Sequence, residues 1–159
     1  NIPMIVAGPN IAPGISDARV GSHDLCPTIL ELVGQQPFDI PDSHSFATAL
    51  LDPDAHHETL TDGFAEYHGT RMSITQRIVW QGPWKFVFNG FDFDELYNLK
   101  DDPYEMKNLA EDPDCEEQLR HLTARMWQYV QETGDHTLYN SHYPALRVAP
   151  YGPQIASQD

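Results

Sequence analysis

Between two β-like stretches the chain reads Tyr67-His68-Gly69-Thr70-Arg71, which joins an imidazole, a glycine turn and a guanidinium. A guanidinium offers a rigid fork of donors to carboxylates and other oxyanions, and an imidazole adds a donor or an acceptor. His68 and Arg71 are therefore the candidate ligand-contacting residues; the alternative is an ordinary loop with a partly buried histidine. The other reactive residue types have structural readings. Cys26-Pro27-Thr28 sets a thiol directly before proline with no arginine after it, and reads as core packing. Asp24, at the head of a helix, reads as an N-cap rather than a metal ligand. His56-His57 is an adjacent pair, and neighbours on one element rarely converge on one metal, so a solvated loop is expected. Residues 101–108 are acidic but lack EF-hand spacing, and Asp102-Pro103 reads as a turn. Arg77, mid-strand, and Lys85, alternating with large aromatics, are expected to pair with carboxylates. No catalytic residue and no metal ligand is assigned.

These side chains need elements to hold them. Met4-Ile5-Val6-Ala7, ended by Gly8-Pro9, and residues 18–22 predict two short strands. A helix follows, with Ser22 or Asp24 as cap, Pro27 in the first turn, Gly34 at its end, and an apolar stripe of Leu25, Ile29, Leu32 and Val33. Residues 35–43 read as a linker, 44–51 as one or two helical turns, and 52–58 as an acidic loop. Strands are expected over 59–67, 73–80, 84–89 and 95–99. Tight connections make them an antiparallel meander, with Trp84, Phe86 and Phe88 on one face. Leu119, Leu122, Met126, Tyr129 and Val130 recur at helical spacing over 116–133, with Gly134 as terminator. A helix with one apolar stripe needs a surface, and the meander supplies it. Residues 135–159, with three prolines among tyrosines, read as an irregular tail packed on the body.

Bulk properties narrow the partners. The 159 residues are 40% hydrophobic and 21% charged, a globular balance with room for one domain or two small ones. Nine Lys plus Arg against 24 Asp plus Glu give a net charge of -15. That field attracts neither nucleic acid nor an anionic membrane, and an anionic substrate would need a local basic pocket. No apolar run approaches the ~18–20 residues that span a bilayer. Cys26 and Cys115 show no zinc or disulfide-framework spacing. The opening residues lack the character of a signal peptide and read as the approach to a strand within a larger protein.

Four stretches together resemble the C-terminal portion of the sulfatase family, within the alkaline phosphatase superfamily. Residues 2–9, with Pro13-Gly14, are similar to a late strand and turn of its sheet. Asp24-Leu25-Cys26-Pro27-Thr28-Ile29-Leu30-Glu31-Leu32-Val33-Gly34 resembles the family's "DlaPTlLeLaG" helix. Arg77-Ile78-Val79-Trp80 through Trp84-Lys85-Phe86-Val87-Phe88-Asn89 resembles its hairpin ending in "yKyvyN". Asp94-Glu95-Leu96-Tyr97-Asn98-Leu99, then Asp101-Asp102-Pro103-Tyr104-Glu105-Met106-Lys107-Asn108-Leu109-Ala110, is similar to "dELYDLenDPgEltNLA" without a gap, with Asn98 where the family usually has Asp.

The resemblance implies an α/β fold of the alkaline-phosphatase and sulfatase type: the edge of the large α/β domain, then a small antiparallel sheet with a packed C-terminal helix. Residues 1–50 would be that edge, 51–135 the subdomain and 136–159 the tail. The family hydrolyses sulfate esters with a formylglycine nucleophile and a calcium ion, both carried by motifs that would lie upstream. This chain alone is thus expected to lack the nucleophile and the metal site and to be inactive, its partner being the N-terminal catalytic portion. The implied substrate is a sulfate-ester small molecule or carbohydrate. His68 and Arg71 would touch its alcohol part at a hydroxyl, a carboxylate or a second sulfate. Two alternatives stand beside this: a phosphonate monoester or phosphodiester hydrolase of the same superfamily, and a non-catalytic binding or assembly module.

Overall fold

Four segments rich in β-branched and aromatic residues pair in simple sequence order: β1 (Asp62–Tyr67), β2 (Gln76–Gln81), β3 (Trp84–Asn89) and β4 (Glu95–Asn98). Every neighbour is antiparallel, the pattern that short connections allow. The register puts Phe64, Val79, Phe86 and Leu96 in one cross-strand row, and Val79, Phe86 and Leu96 are fully buried. The computed structural model describes residues 3–36, 39–54, 60–69, 75–135 and 149–157. The strands expected over 59–67 and 73–80 are realised as β1 and β2, with residues 55–59 and 70–74 outside the described set.

The long helix covers that row. It is α3 in the numbering used below, Glu116–Glu132, and it buries Leu119, Leu122, Met126 and Val130 against the sheet, as their spacing predicts. Tyr129 stacks on Phe64, ring centroids 4.9 Å apart. The helix ends in a Schellman arrangement: Gly134 has φ 65, its N–H donates to the Gln131 carbonyl, and Asp135 N–H donates to the Val130 carbonyl. Part of the proline-rich tail packs here too. Ala149 and Ile155 join the core, and Trp127 Nε1 donates to the Tyr151 carbonyl at 2.8 Å.

The chain divides into two units, residues 1–61 and 62–159. The sheet and α3 belong to the second. The first holds α1 (Leu25–Leu32) and α2 (Ala47–Leu51) around a small core of Phe46, Ala49 and Leu60. Here the structure differs from the sequence reading in three respects. Residues 4–7 and 18–22 form no strand. A strand is held by a neighbour's ladder, and no ladder forms here among the described residues, where Arg19 N–H donates to the Leu60 carbonyl. Most of the expected α1 stripe faces outward: Ile29 is 57% and Val33 63% exposed, while Leu32 is half-buried and Pro27 and Thr28 are buried. Asp24 does not cap α1 through its side chain. Its buried carboxylate instead accepts from Gly21 N–H at 2.7 Å and His44 N–H at 2.8 Å, fastening the following loop to the helix start. Thr28 continues the fastening, donating to the Asp24 carbonyl and accepting from Phe46 N–H.

Candidate functional site

An up-and-down sheet sends alternate connections to opposite ends. The β1–β2 and β3–β4 connections emerge at one end, and the β2–β3 turn at Gly82-Pro83 lies at the other. His68 follows β1 directly at the first end. It is half exposed, and its Nε2 lies 2.8 Å from Glu66 Oε2. That contact orients the imidazole and leaves part of its edge open to solvent. Gly69, next in the chain, takes a φ of 71, which suits a residue without a side chain. Arg71 lies outside the described residues, as do His56 and His57.

Beneath this end sits a buried polar tie. Arg77 is 0% exposed, and its guanidinium meets Asp135 through Nε at 2.6 Å and Nη2 at 2.5 Å. Its Nη1 also donates to Thr75 Oγ1 and to the Gln76 carbonyl. The strand register turns Arg77 toward the α3 face, alongside Val79, and the Schellman turn brings Asp135 to it. The tie therefore joins the end of α3 to the start of β2. The expected ion pair is present; what the sequence did not single out is its partner, 58 residues away.

The other chemistry-bearing residues hold structure. Lys85 Nζ meets Glu105 Oε2 at 2.5 Å, as its alternation with aromatics suggested. Asp102 accepts from Lys107 N–H at 2.8 Å. Backbone N–H groups of Met106, Lys107 and Tyr104 hold its carboxyl below the usual range. Asn108, in the stretch that most resembled a family motif, acts as a strand surrogate beside β4. Its Oδ1 accepts from Leu96 N–H and Ala110 N–H, and its Nδ2 donates to the Asp94 carbonyl. Among the described residues, no three His, Cys, Asp or Glu side chains gather as a metal-ligand set.

Tyr97 donates to Glu95 Oε2 at 2.9 Å, and burial with the nearby Glu95, Glu105 and Asp102 charges pushes its phenol up to about 12 from 10.0. The folded state thus holds this proton more tightly than the unfolded state. The associated stability is complete below pH 10 and is lost as pH rises toward 12. Urea midpoints measured across that window are expected to fall, and Tyr97→Phe to flatten part of the fall. Tyr129, also raised by burial, accounts for some of the remainder.

Two shallow concavities lie at the far end of the sheet. Grooves of about 530 and 410 Å³ flank Trp84, the first lined also by Cys115, Gln118 and His121 and the second by Asn98 and Lys107. His121 Nε2 is engaged with Gln81 Oε1 at 2.6 Å. Burial and the charges of Asp112 and Asp114 push the Cys115 thiol up, the opposite of an activated nucleophile. No helix among the described residues is long and apolar enough to cross a membrane.

Residues 1–132 match the family model described as "N-sulphoglucosamine sulphohydrolase, C-terminal". The chain is 27% identical over 164 aligned residues to the choline-sulfatase of Rhizobium meliloti, an alignment covering 96% of this chain and 31% of that protein. It is 28% identical over 167 to arylsulfatase K of Xenopus laevis, covering 96% of this chain and 30% of that one. The chain thus spans about a third of the length of these two relatives. Among solved structures, a 2-O GAG sulfatase superposes with a TM-score of 0.65 at 24% identity, covering 83% of this chain and 27% of that chain. That likeness establishes the fold: the small antiparallel sheet with its C-terminal helix is a sulfatase element.

Proposed function

Because this chain belongs to the sulfatase family, through the region described for N-sulphoglucosamine sulphohydrolase, we propose that the whole protein is a sulfuric ester hydrolase acting on sulfated carbohydrate. The match over residues 1–132 carries the reading, and the GAG sulfatase fold supports the carbohydrate class. In this reading the catalytic centre belongs to the part of the relatives' length that this chain does not span. Calcium and a formylglycine nucleophile would belong there too, as the family resemblance implies. The group would supply an activated oxygen nucleophile and an electrophilic clamp on the sulfate.

This chain's contribution would be to the alcohol half of the ester. His68, oriented by Glu66, would hydrogen-bond a sugar hydroxyl, and Arg71 would meet a carboxylate or a second sulfate. The outward Ile29 and Val33 of α1 would pack against the rest of the α/β domain, which offers the apolar cover they lack within their own unit.

The test is an assay of the full-length protein on sulfated disaccharides and on a phenyl phosphonate monoester, in parallel. Release of sulfate from the saccharides is expected, with His68→Ala and Arg71→Ala each raising KM by about tenfold while kcat holds. Preferential cleavage of the phosphonate would move the protein to the neighbouring hydrolase class. No turnover of either would leave a binding or assembly module.

A further inference from the structure

β3 ends at Asn89, and Gly90 after it completes the one Asn-Gly pair in the sequence. Such a pair carries a reaction of its own. The Gly90 amide nitrogen, on losing its proton to base, can attack Asn89 Cγ. An N–Cγ bond forms, the Cγ–Nδ2 bond breaks, and ammonia departs to leave a five-membered succinimide. Water then opens the ring at either carbonyl, giving aspartate or isoaspartate with no change of oxidation state. Glycine permits the attack because it has no Cβ to crowd the nitrogen. Asn10, Asn98 and Asn108 instead precede Ile11, Leu99 and Leu109, whose branched side chains oppose it.

The fold closes this route from both sides of the bond. Gly90 N–H donates to the Thr75 carbonyl at 3.2 Å, so the proton that must leave is engaged. Asn89 is held in β3 opposite Gln76, and its N–H donates to Asp94 Oδ1 at 3.1 Å. Ring closure has to swing the Gly90 nitrogen onto Cγ, which rotates this peptide out of the strand and breaks the Thr75 bond. The side chain adds no latch of its own: Asn89 is 6% exposed, and its Oδ1 accepts no hydrogen bond among the described residues. Closure therefore rests on the main chain and Asp94. The connection they secure leads into β4, a four-residue strand at the edge of the described sheet, where local opening costs less than global unfolding.

We infer that Asn89 is a self-modification site, closed in the folded state and hydrolysed by water when the β3–β4 connection opens. The product does not close again as before. Aspartate would place a second buried carboxylate beside that of Asp94, and isoaspartate also adds a methylene to the main chain where β3 ends. A reversible opening thus becomes a permanent mark on the chain. The inference stands on the sheet alone and is independent of the sulfatase reading.

The experiment ages the full-length protein in mildly alkaline buffer, both folded and in unfolding urea. Trypsin releases residues 86–100, which carry Asn89 together with Asn98 as an internal reference. Fragment masses locate the deamidated residue, and an isoaspartyl methyltransferase counts the isoaspartate. Asn89 in the folded protein is expected to react at least about 100-fold more slowly than in urea, and faster than Asn98 once unfolded. Asp94→Ala removes one latch and should raise the folded-state rate about tenfold, with the rate in urea unchanged. A second measurement needs no variant: in rising sub-denaturing urea, Asn89 deamidation and Gly90 amide exchange should accelerate together. Equal rates in folded and unfolded protein, or no reaction in urea, would overturn the inference. So would deamidation that stays constant while Gly90 exchange accelerates, or folded Asp94→Ala protein that ages as slowly as wild type.

Discussion

Arg77→Met is expected to destabilise the full chain by about 3–5 kcal/mol, read as a lowered urea midpoint with an unchanged slope. The reason is what the substitution leaves behind. Asp135 is nearly as buried as Arg77, and the guanidinium reaches it through two nitrogens. Methionine fills much of the volume but leaves that carboxylate in place without its countercharge. Thr75 Oγ1 and the Gln76 carbonyl lose a donor as well. The double substitution Arg77→Met with Asp135→Leu separates charge from packing. Both ions then leave, and the loss is expected to shrink to within about 1 kcal/mol of wild type, because well-packed apolar residues often match a buried pair. A double variant as unstable as the single one would show that geometry at the α3 terminus, not the uncompensated charge, sets the cost.

Asn108→Ala is expected to cost about 2–4 kcal/mol, although the residue lies in a loop and holds no element of its own. One side chain there closes three hydrogen bonds: Leu96 N–H at 3.0 Å, Ala110 N–H at 2.9 Å and the Asp94 carbonyl at 2.9 Å. Leu96 is fully buried, so its amide has little recourse to water once the amide oxygen is gone. Asn108→Asp keeps the acceptor and gives up the donor, and should retain more than half of the stability lost by alanine. Equal losses in the two variants would mean that the Asp94 carbonyl bond matters most. Amide exchange at Leu96 is the direct readout, with protection expected to fall in the alanine variant and persist in the aspartate variant.

Asn108 also shows why a motif was legible before its purpose was. The run from Asp94 to Ala110 resembles a family pattern because its side chains bond locally and in order: Asp94 to Asn89 N–H, Asn108 to Leu96 and Ala110, Asp102 to Lys107. Such bonds demand particular residue types at short spacings, so they leave a signature in one dimension. They hold a subdomain together, so the most recognisable stretch points to the family through its architecture.

For the fold, periodicity sufficed wherever an element buries one face within its own unit. The alternation of Trp84, Phe86 and Phe88 and the three- and four-residue spacing from Leu119 to Val130 predicted β3 and α3 nearly to the residue. It misled where the face needs a partner the unit does not contain. The stripe of Leu25, Ile29, Leu32 and Val33 has true helical spacing, yet along α1 and its caps Leu25, Ile29 and Val33 are exposed, Leu32 is half-buried, and Asp24, Pro27 and Thr28 are the buried ones. Residues 4–7 have strand composition but join no ladder among the described residues. A hydrophobic pattern states that a face is to be covered; it does not state by what.

By itself, then, the amino-acid sequence determined the family, the meander and its helix, the candidate His68, and the expectation that Arg77 and Lys85 would be ion-paired. Tertiary structure alone decided that Asp135 is the partner of Arg77 and that Asp24 fastens a loop 20 residues on. The division follows from range. Local propensity, turn chemistry and side-chain period act over a few residues and can be read along the chain, whereas pairings across 20 to 58 residues exist only once strand register and helix termination have fixed where each side chain arrives.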